Sequence, residues 1–355
     1  MKRLLSLDVM RGMTIVCMII VNNLAGSENY SHLEHSVWNG ITVCDLVFPF
    51  FLFIMGVTTY ISLSKRGFRP SSSTVGKIIK RMVVIILIGW CVRWFANACF
   101  GRDIWDFSNF RLTGVLPRIG LCYGIVALMA IYINRKGMAF IAGLLLILYG
   151  IILLLFNGYA NDLTNVNAIF DEYILTRAHL YRTPVDPEGL LGTIPAVAHT
   201  IIGFCCGAIL LEKESLESRL VKLFVVGVIL SLLGFIISGI LAPNKTIWSS
   251  SYVLVTCGMA AILLATISYF TDVRHNSSAF VFFEAFGVNP LFLYVLGSVL
   301  GVVLGATGAT SAIYDWTLVR LPDPKFASML FSVMLALFTG LFAWPLYRKH
   351  IYIKI

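Results

Sequence analysis

The densest group of residues that could do chemistry lies between positions 22 and 45. It contains Asn22, His35, Trp38, Asn39 and Asp45, of which Trp38 and Asn39 are candidates for contacting a substrate. Histidine titrates near neutral pH and can act as a general base or a nucleophile. A carboxylate within an apolar segment is costly and indicates a functional group. Because a turn separates His35 from Asp45, we expect both side chains at one cavity mouth. The alternative is an interfacial His35 and an Asp45 that only caps a helix.

Two arginines in or beside apolar segments need partners. Asp8 and Arg11 are three residues apart, so they share a helix face and can form an ion pair. The alternative is that Arg11 binds an anionic cofactor. Arg118 begins an apolar segment, where its permanent charge requires a protein carboxylate or an oxygen of a substrate or cofactor. Asn289 precedes a proline that predicts a kink, and its side chain is a further candidate for binding a cofactor.

Further candidates lie in polar segments between the apolar runs. Asp186 and Glu188 end the longest of these segments, 157–192. They predict either capping of the following helix or contacts with the hydroxyl and amine groups of a sugar. Trp248 lies in a polar turn, and its amphipathic ring predicts an anchor at a membrane interface. Contact with a sugar is the other interpretation of Trp248.

Several kinds of site are not predicted. The sequence has no Gly-x-x-x-x-Gly-Lys-Ser/Thr loop, no His-Glu-x-x-His pair and no Gly-x-Ser-x-Gly elbow. We therefore predict no phosphate-binding nucleotide loop, no metal site and no serine-hydrolase nucleophile.

The composition indicates a membrane protein. Of the 355 residues, 58% are hydrophobic and 13% charged, and the mean hydropathy is +0.86. Soluble domains carry about 25% charged residues. In lipid, long apolar runs must satisfy their backbone polar groups as helices. We predict one all-α domain over 1–355, a polytopic transmembrane bundle of about ten helices. The apolar runs lie at 9–25, 41–63, 78–99, 115–133, 138–156, 193–211, 221–242, 252–270, 281–306 and 328–347.

The basic residues predict the orientation. With the N-terminus inside, 18 of the 27 Lys and Arg residues fall in inner segments and seven in outer ones. The N- and C-termini are therefore predicted to be cytoplasmic, and 157–192 is a long outer-face loop. The net charge of +9 mostly reflects the excess of Lys and Arg in the inner segments, so no nucleic-acid partner is expected. We interpret the first apolar run as a retained helix and not as a cleaved signal peptide.

These motifs, in this order, resemble the transmembrane acetyltransferase family typified by heparan-alpha-glucosaminide N-acetyltransferase and its bacterial relatives. The block from His35 to Asp45 is the most specific part of the resemblance, and Pro117 departs from it because relatives usually have Gln there. The matching stretches are 6–12, 35–49, 114–120, 179–181, 186–193, 244–253 and 287–290.

The resemblance implies transfer of acetyl from cytoplasmic acetyl-CoA to a terminal glucosamine amine of a sugar or glycan across the membrane. It implies that His35 is the active-site histidine, with Asn22 and Asp45 beside it, and that Arg118 is a site or structural arginine. In such a site Asp45 would orient the imidazole and Asn22 would stabilise the oxyanion. A homodimer is expected from the resemblance, and the compact form suggests a bacterial inner membrane protein.

Two other classes of function stay open. Charges within the membrane and helices broken by Gly or Pro also suit a transporter or permease for a sugar or a nucleotide-type solute. The absence of visible inverted repeats and the clustering of polar residues at the outer end count against this interpretation. A membrane scaffold is the third interpretation.

Overall fold

The computed structural model describes residues 4–353, and this part of the chain folds into α-helices without strands. Lys2, Arg3 and Lys354, which the orientation argument used, lie outside the described residues. The helices are α1 Leu5–Asn22, α2 Val43–Ser64, α3 Ser72–Cys99, α4 Val115–Ala130, α5 Arg135–Leu155, α6 Val166–Leu175, α7 Thr193–Ile209, α8 Leu216–Ile237, α9 Ser250–Ser268, α10 Val281–Val288, α11 Pro290–Ala306, α12 Ala309–Arg320 and α13 Pro324–Arg348.

The all-helical prediction is confirmed for the described residues. Each of the ten predicted apolar runs overlaps most of one helix or, for 281–306, spans a pair of helices. By length and composition, six described helices can each cross a membrane, and the pair of α10 and α11 can form a seventh span. Two helices were not predicted. α6 lies inside the polar segment 157–192, and α12 lies in the segment after α11.

Helices pack closely where glycine removes the side chain. A Cβ atom on Gly12 of α1 would lie 1.7 Å from the carbonyl oxygen of Phe283, and one on Gly287 of α10 would lie 1.7 Å from that of Asp8. Gly56 of α2 approaches the Thr200 carbonyl of α7 in the same way, at 2.1 Å. In lipid, helix association depends on such backbone contacts, since apolar side chains gain little there from leaving the solvent. These contacts fix α1 on α10 and α2 on α7.

The kink predicted at Asn289 is confirmed. α10 and α11 meet there at an angle of 80°. Pro290 lacks the backbone N–H that would continue α10, so the helix breaks before it. The Asn289 side chain donates to the carbonyl of Ile351 at 2.8 Å and accepts from the N–H of Ile353 at 2.7 Å. The bend is therefore tied to the chain that follows α13.

Candidate active site

The start of α2 holds a buried carboxylate in a fixed position. Asp45 is the third residue of a capping box in which its side chain accepts from the N–H of Thr42 at 3.0 Å. The same Oδ2 atom accepts from the N–H of Ser36 at 3.1 Å. The Asp45 side chain is 0% exposed. Capping was one of the two predicted roles of Asp45, and it leaves Oδ1 for another partner.

That partner is His35. Its Nδ1 atom lies 2.8 Å from Oδ1 of Asp45, while the imidazole is 52% exposed. A carboxylate that accepts from Nδ1–H leaves the lone pair on Nε2, the nitrogen that can take a proton or attack a carbonyl. The structure thus confirms that His35 and Asp45 meet. Cys44 adds a thiol whose Sγ lies 3.1 Å from Nδ1.

Lys245 completes this group from a distant part of the chain. Its Nζ atom lies 3.0 Å from Nδ1 and 2.8 Å from Nε2 of His35. In the plane of the ring such a position would collide with the carbon between the two nitrogens, so the Nζ atom lies over the ring face. Burial lowers the pKa of Lys245, and the opposing effect of the Glu188 and Asp45 carboxylates does not cancel it.

A proline within α2 explains why the backbone carbonyl of Asp45 contacts α9. Pro49 has no N–H to give to the carbonyl of Asp45, four residues earlier. The hydroxyl of Tyr252 on α9 donates to that carbonyl at 2.5 Å instead. Tyr252 is fully buried. The start of α2, and with it Asp45, is therefore held against α9.

The two acidic candidates of segment 157–192 are both bound to one arginine. Arg111 Nη2 lies 2.7 Å from Asp186 and 2.6 Å from Glu188. The second carboxylate oxygen of Asp186 accepts from Thr113 and, at 2.8 Å, from the N–H of Tyr181. Burial raises the pKa of Asp186, but Arg111 and the hydrogen bonds outweigh it, so the pKa is lowered. Asp186 is thus bound by the protein itself, whereas Glu188 lines a cavity.

Two cavities share Tyr294 of α11 as a lining residue. The first, of about 230 Å³, is lined in part by Glu188, Arg111, Arg93, Trp90 and Tyr294. The second has a volume of about 320 Å³. It is lined in part by the last residue of α1, Asn22, and again by Tyr294. Among the described residues no hydrogen bond joins Asn22 to His35, so the structure does not bring Asn22 into direct contact with the imidazole.

Arg118 and Trp248 form a buried pair. The Arg118 guanidinium carbon lies 5.1 Å from the centre of the Trp248 ring, and Arg118 Nη2 donates to the carbonyl of Gly189 at 2.8 Å. Trp248 is 0% exposed, so the prediction of an interfacial anchor is wrong. Within residues 4–353, Nε and Nη1 of Arg118 and Nε1 of Trp248 lack a hydrogen-bond partner. Buried donors of this kind require water or a polar ligand.

Trp38 and Asn39 connect loops. Trp38 Nε1 donates to the carbonyl of Tyr159 at 2.9 Å, and Asn39 accepts from the Asn244 amide at 3.2 Å. The contact with Asn244 brings the neighbouring Lys245 to the loop that carries His35.

Arg11 and Asn289 lie away from the imidazole, near the junction of α1 and α10. Arg11 Nη2 lies 3.2 Å from Asp8 on the same helix face, so the predicted ion pair is confirmed. Its Nη1 is 3.4 Å from the carbonyl of Gly287, two residues before Asn289. Arg11 and Asn289 thus flank one short stretch of α10, whereas Arg118 contacts Gly189 and Trp248.

Lys245 and Tyr252 are the residues that sequence reasoning missed. Lys245 follows Pro243 and Asn244 in a short polar turn, where a lysine normally indicates a solvated surface. A signal for Tyr252 did exist, because the proline four residues after Asp45 frees a carbonyl that needs a donor.

The apolar helices define a helical protein of membrane type, and at one end of α2 a buried carboxylate contacts an imidazole. Residues 3–237 match the family model described as heparan-alpha-glucosaminide N-acetyltransferase, catalytic, and the chain belongs to this family.

Two curated relatives support this assignment. The human heparan-alpha-glucosaminide N-acetyltransferase is 29% identical over 352 residues, which cover 82% of this chain and 52% of that protein. The mouse protein of the same name is 28% identical over 413 residues, which cover all of this chain and 61% of that protein. The chain thus spans somewhat more than half the length of these relatives.

Proposed function

We propose that this protein is a membrane acetyltransferase that moves acetyl from cytoplasmic acetyl-CoA to the amine of a glucosamine-type sugar on the opposite, periplasmic side. The observation that carries the proposal is the 2.8 Å contact between His35 Nδ1 and the buried Asp45, in a chain that belongs to this acetyltransferase family. Eighteen basic residues in the predicted inner segments support a cytoplasmic N-terminus in a bacterial inner membrane. A homodimer belongs to the same proposal.

His35 has one of two roles. As a general base, Nε2 takes a proton from the acceptor amine while the amine nitrogen attacks the acetyl carbon and the C–S bond breaks. The thiolate then receives that proton, so the products are an N-acetyl sugar and CoA thiol. As a nucleophile, Nε2 attacks the acetyl carbon, and the C–S bond breaks to release the CoA thiolate. The acceptor amine then takes the acetyl group from Nε2, and the proton it releases goes to the thiolate. Asp45 serves both routes, because it holds the proton on Nδ1 and stabilises a charged imidazole.

Lys245 places a cation at the face of the imidazole, and it is a candidate for stabilising the oxyanion that forms on the acetyl oxygen. Preorganised donors at such a position have large effects on rate. Asn22, the residue predicted for this role, keeps it only if substrate binding brings it closer to His35. Lys245 is the nearer donor, because its Nζ atom lies 2.8 Å from Nε2.

The cavities suggest where the two substrates bind. Trp90, Arg93, Glu188 and Tyr294 offer an aromatic face and charged groups of both signs, a combination that suits an amino sugar. The unpartnered donors of Arg118 and Trp248 suit the polar arm of the acetyl donor. Arg11 and Asn289 remain candidates for its anionic end. The proposed acceptor belongs to the class of glucosamine-containing sugars and glycans.

The test uses the full chain in proteoliposomes with labelled acetyl-CoA on one side and glucosamine on the other. We expect His35→Ala to lower acetyl transfer by at least about 10²-fold. His32→Ala, an exposed histidine of the same loop, should keep the rate. Near-normal transfer by His35→Ala would refute the scheme. Uptake of unmodified sugar without acetylation would support the permease, and rapid quenching with mass spectrometry would detect acetyl-His35 only on the nucleophilic route.

A further inference from the structure

A third cavity lies at the end of α2 remote from His35. α2 has 22 residues, which separates its two ends by about 33 Å. The cavity has a volume of about 250 Å³ and opens between the end of α2, the first half of α3 and α4. We call it the basic recess. Its lining residues are Thr59, Ser62, Leu63, Arg66, Lys77, Ile78, Lys80, Arg81 and Tyr123.

The fold directs four cations into this recess. Lys77, Lys80 and Arg81 are spaced by three and four residues on α3, so they share one helix face. Arg66 follows α2 in a turn that Gly67 permits by adopting a φ of +64°. The Arg81 guanidinium carbon lies 4.7 Å from the centre of the Tyr123 ring on α4, which fixes its direction.

No carboxylate of residues 4–353 neutralises these cations. Among the described residues no carboxylate oxygen lies within 4.0 Å of Arg66, Lys77, Lys80 or Arg81. The α5 and α8 segments differ, because Arg135 and Lys222 both pair with Glu212, at 2.8 and 3.0 Å. Four like charges around one cavity repel each other, and an anion that enters it removes that repulsion.

The donors identify the class of anion. Arginine and lysine side chains beside the hydroxyls of Ser62 and Tyr123 can surround a tetrahedral oxyanion, and guanidinium groups bind phosphate with two parallel hydrogen bonds. We infer that the basic recess is a binding site for a phosphate group, separate from the His35 site. Binding of a lipid phosphate there does not depend on acetyl transfer, whereas binding of the phosphates of CoA rests on the proposed function.

A phosphate group can reach this site from two sources. The outward side chains of α3, including Ile79, Val83 and Leu87, are exposed and apolar, so lipid chains can pack beside the recess. Basic pockets between membrane helices bind anionic lipid headgroups. The phosphates of a soluble nucleotide such as CoA are the other source. The shared chemistry is the phosphate group, and the experiment separates the two sources.

The experiment compares two variants of the full chain, each lacking four positive charges. The recess variant carries Arg66→Gln, Lys77→Gln, Lys80→Gln and Arg81→Gln. The control variant carries Lys65→Gln, Arg69→Gln, Lys136→Gln and Lys213→Gln, all exposed residues outside the recess. Native mass spectrometry measures retained phosphatidylglycerol from mixed vesicles with phosphatidylcholine. Calorimetry in phosphatidylcholine nanodiscs measures the affinity for CoA and for pantetheine.

Each outcome decides the inference. A loss of phosphatidylglycerol by tenfold or more in the recess variant alone assigns the site to a lipid headgroup. A tenfold weaker affinity for CoA, with pantetheine binding unchanged, assigns it to nucleotide phosphates. Equal behaviour of the two variants in both measurements overturns the inference. If the fourfold variant does not fold, Lys77→Gln with Lys80→Gln is compared with Lys65→Gln and Arg69→Gln, and Lys77→Arg should retain binding.

Discussion

The Nζ atom of Lys245 lies over the imidazole of His35, 210 residues away in the sequence, at 2.8 Å from Nε2. We expect Lys245→Met to lower kcat by about 10²-fold, because a preformed cation beside the reacting nitrogen is lost. Burial lowers the pKa of Lys245 below 10.5, the ordinary lysine value, so the cation loses its proton at a lower pH than an ordinary lysine as the pH rises. The alkaline limb of the pH–rate profile should therefore lie below pH 10.5 and disappear in Lys245→Met.

Lys325→Met, which removes an exposed lysine at the start of α13, is the matched control and should leave the profile unchanged. Lys245→Arg keeps the charge and should recover part of kcat. An unchanged alkaline limb in Lys245→Met would show that another group titrates there.

The buried carboxylate of Asp45 gives a second prediction. In Asp45→Asn the amide can present its N–H₂ group to Nδ1, which favours the wrong tautomer of His35. We expect kcat for acetyl transfer to fall by about 10²- to 10⁴-fold, since the geometry is kept and the charge is lost. Asp315→Asn, an exposed position on α12, should keep the wild-type rate. A drop of less than threefold in Asp45→Asn would contradict the assigned role of Asp45.

The hydroxyl of Tyr252 gives a third prediction, because it replaces the helical hydrogen bond that Pro49 removes. Tyr252→Phe leaves the buried Asp45 carbonyl unpaired and should lower the unfolding free energy by about 1–3 kcal/mol. Tyr173→Phe, at a side chain 89% exposed, should have no effect. Thermal unfolding in detergent measures both.

A double-mutant cycle tests the physical reason. Pro49→Ala restores an N–H for the Asp45 carbonyl, so Tyr252→Phe should cost clearly less in that background. Equal costs in the two backgrounds would mean that Tyr252 stabilises the protein through packing alone.

The Asp171 carboxyl gives a prediction with a defined sign. Burial raises its pKa from 3.8 to about 6, although the N–H of Leu191 donates to it at 3.0 Å. A raised pKa contributes stability below pH 3.8 that is lost as the pH rises through 6. Asp171→Asn should therefore raise the melting temperature by a few degrees at pH 7.5, and by less at pH 5. Glu172→Gln, its exposed neighbour, is the control. A larger gain at pH 5 than at pH 7.5 would reverse the sign and reject the argument.

Gly12 gives the last prediction. Gly12→Ala brings a methyl group within 1.7 Å of the Phe283 carbonyl oxygen, a backbone atom that cannot move aside. We expect a large loss of folded protein in size-exclusion chromatography. Gly143→Ala on α5 has open space around the new Cβ and should be neutral or stabilising by up to about 1 kcal/mol. Normal yield of Gly12→Ala would show that α1 and α10 can separate.

The sequence predicted the helical framework well, for a physical reason. In lipid an apolar run of about 20 residues has no alternative to a helix, so each of the ten runs overlaps a helix or, at 281–306, a pair of helices. The bend at Asn289 followed in the same way from Pro290. α6 and α12 were missed because they are short and lie in polar segments.

The site was predicted only in part. The contact between His35 and Asp45 could be predicted because a capping position and a nearby loop residue lie close along the chain. The position of Lys245 could not, since it depends on how α9 packs against α2. Asp186 was a candidate for binding a sugar, and that role stays a prediction. Its oxygens accept bonds from Arg111, Thr113 and the N–H of Tyr181, long-range contacts that no local pattern indicates.

The glycines that join α1 to α10 have a consequence for measurements of conformational change. Because backbone atoms are in contact at Gly12 and Gly287, we expect the two helices to move together. Spin labels on α1 and α10, one on each side of their contact, should therefore report a constant distance while ligands bind elsewhere. That distance can serve as an internal reference for motions of the remaining helices.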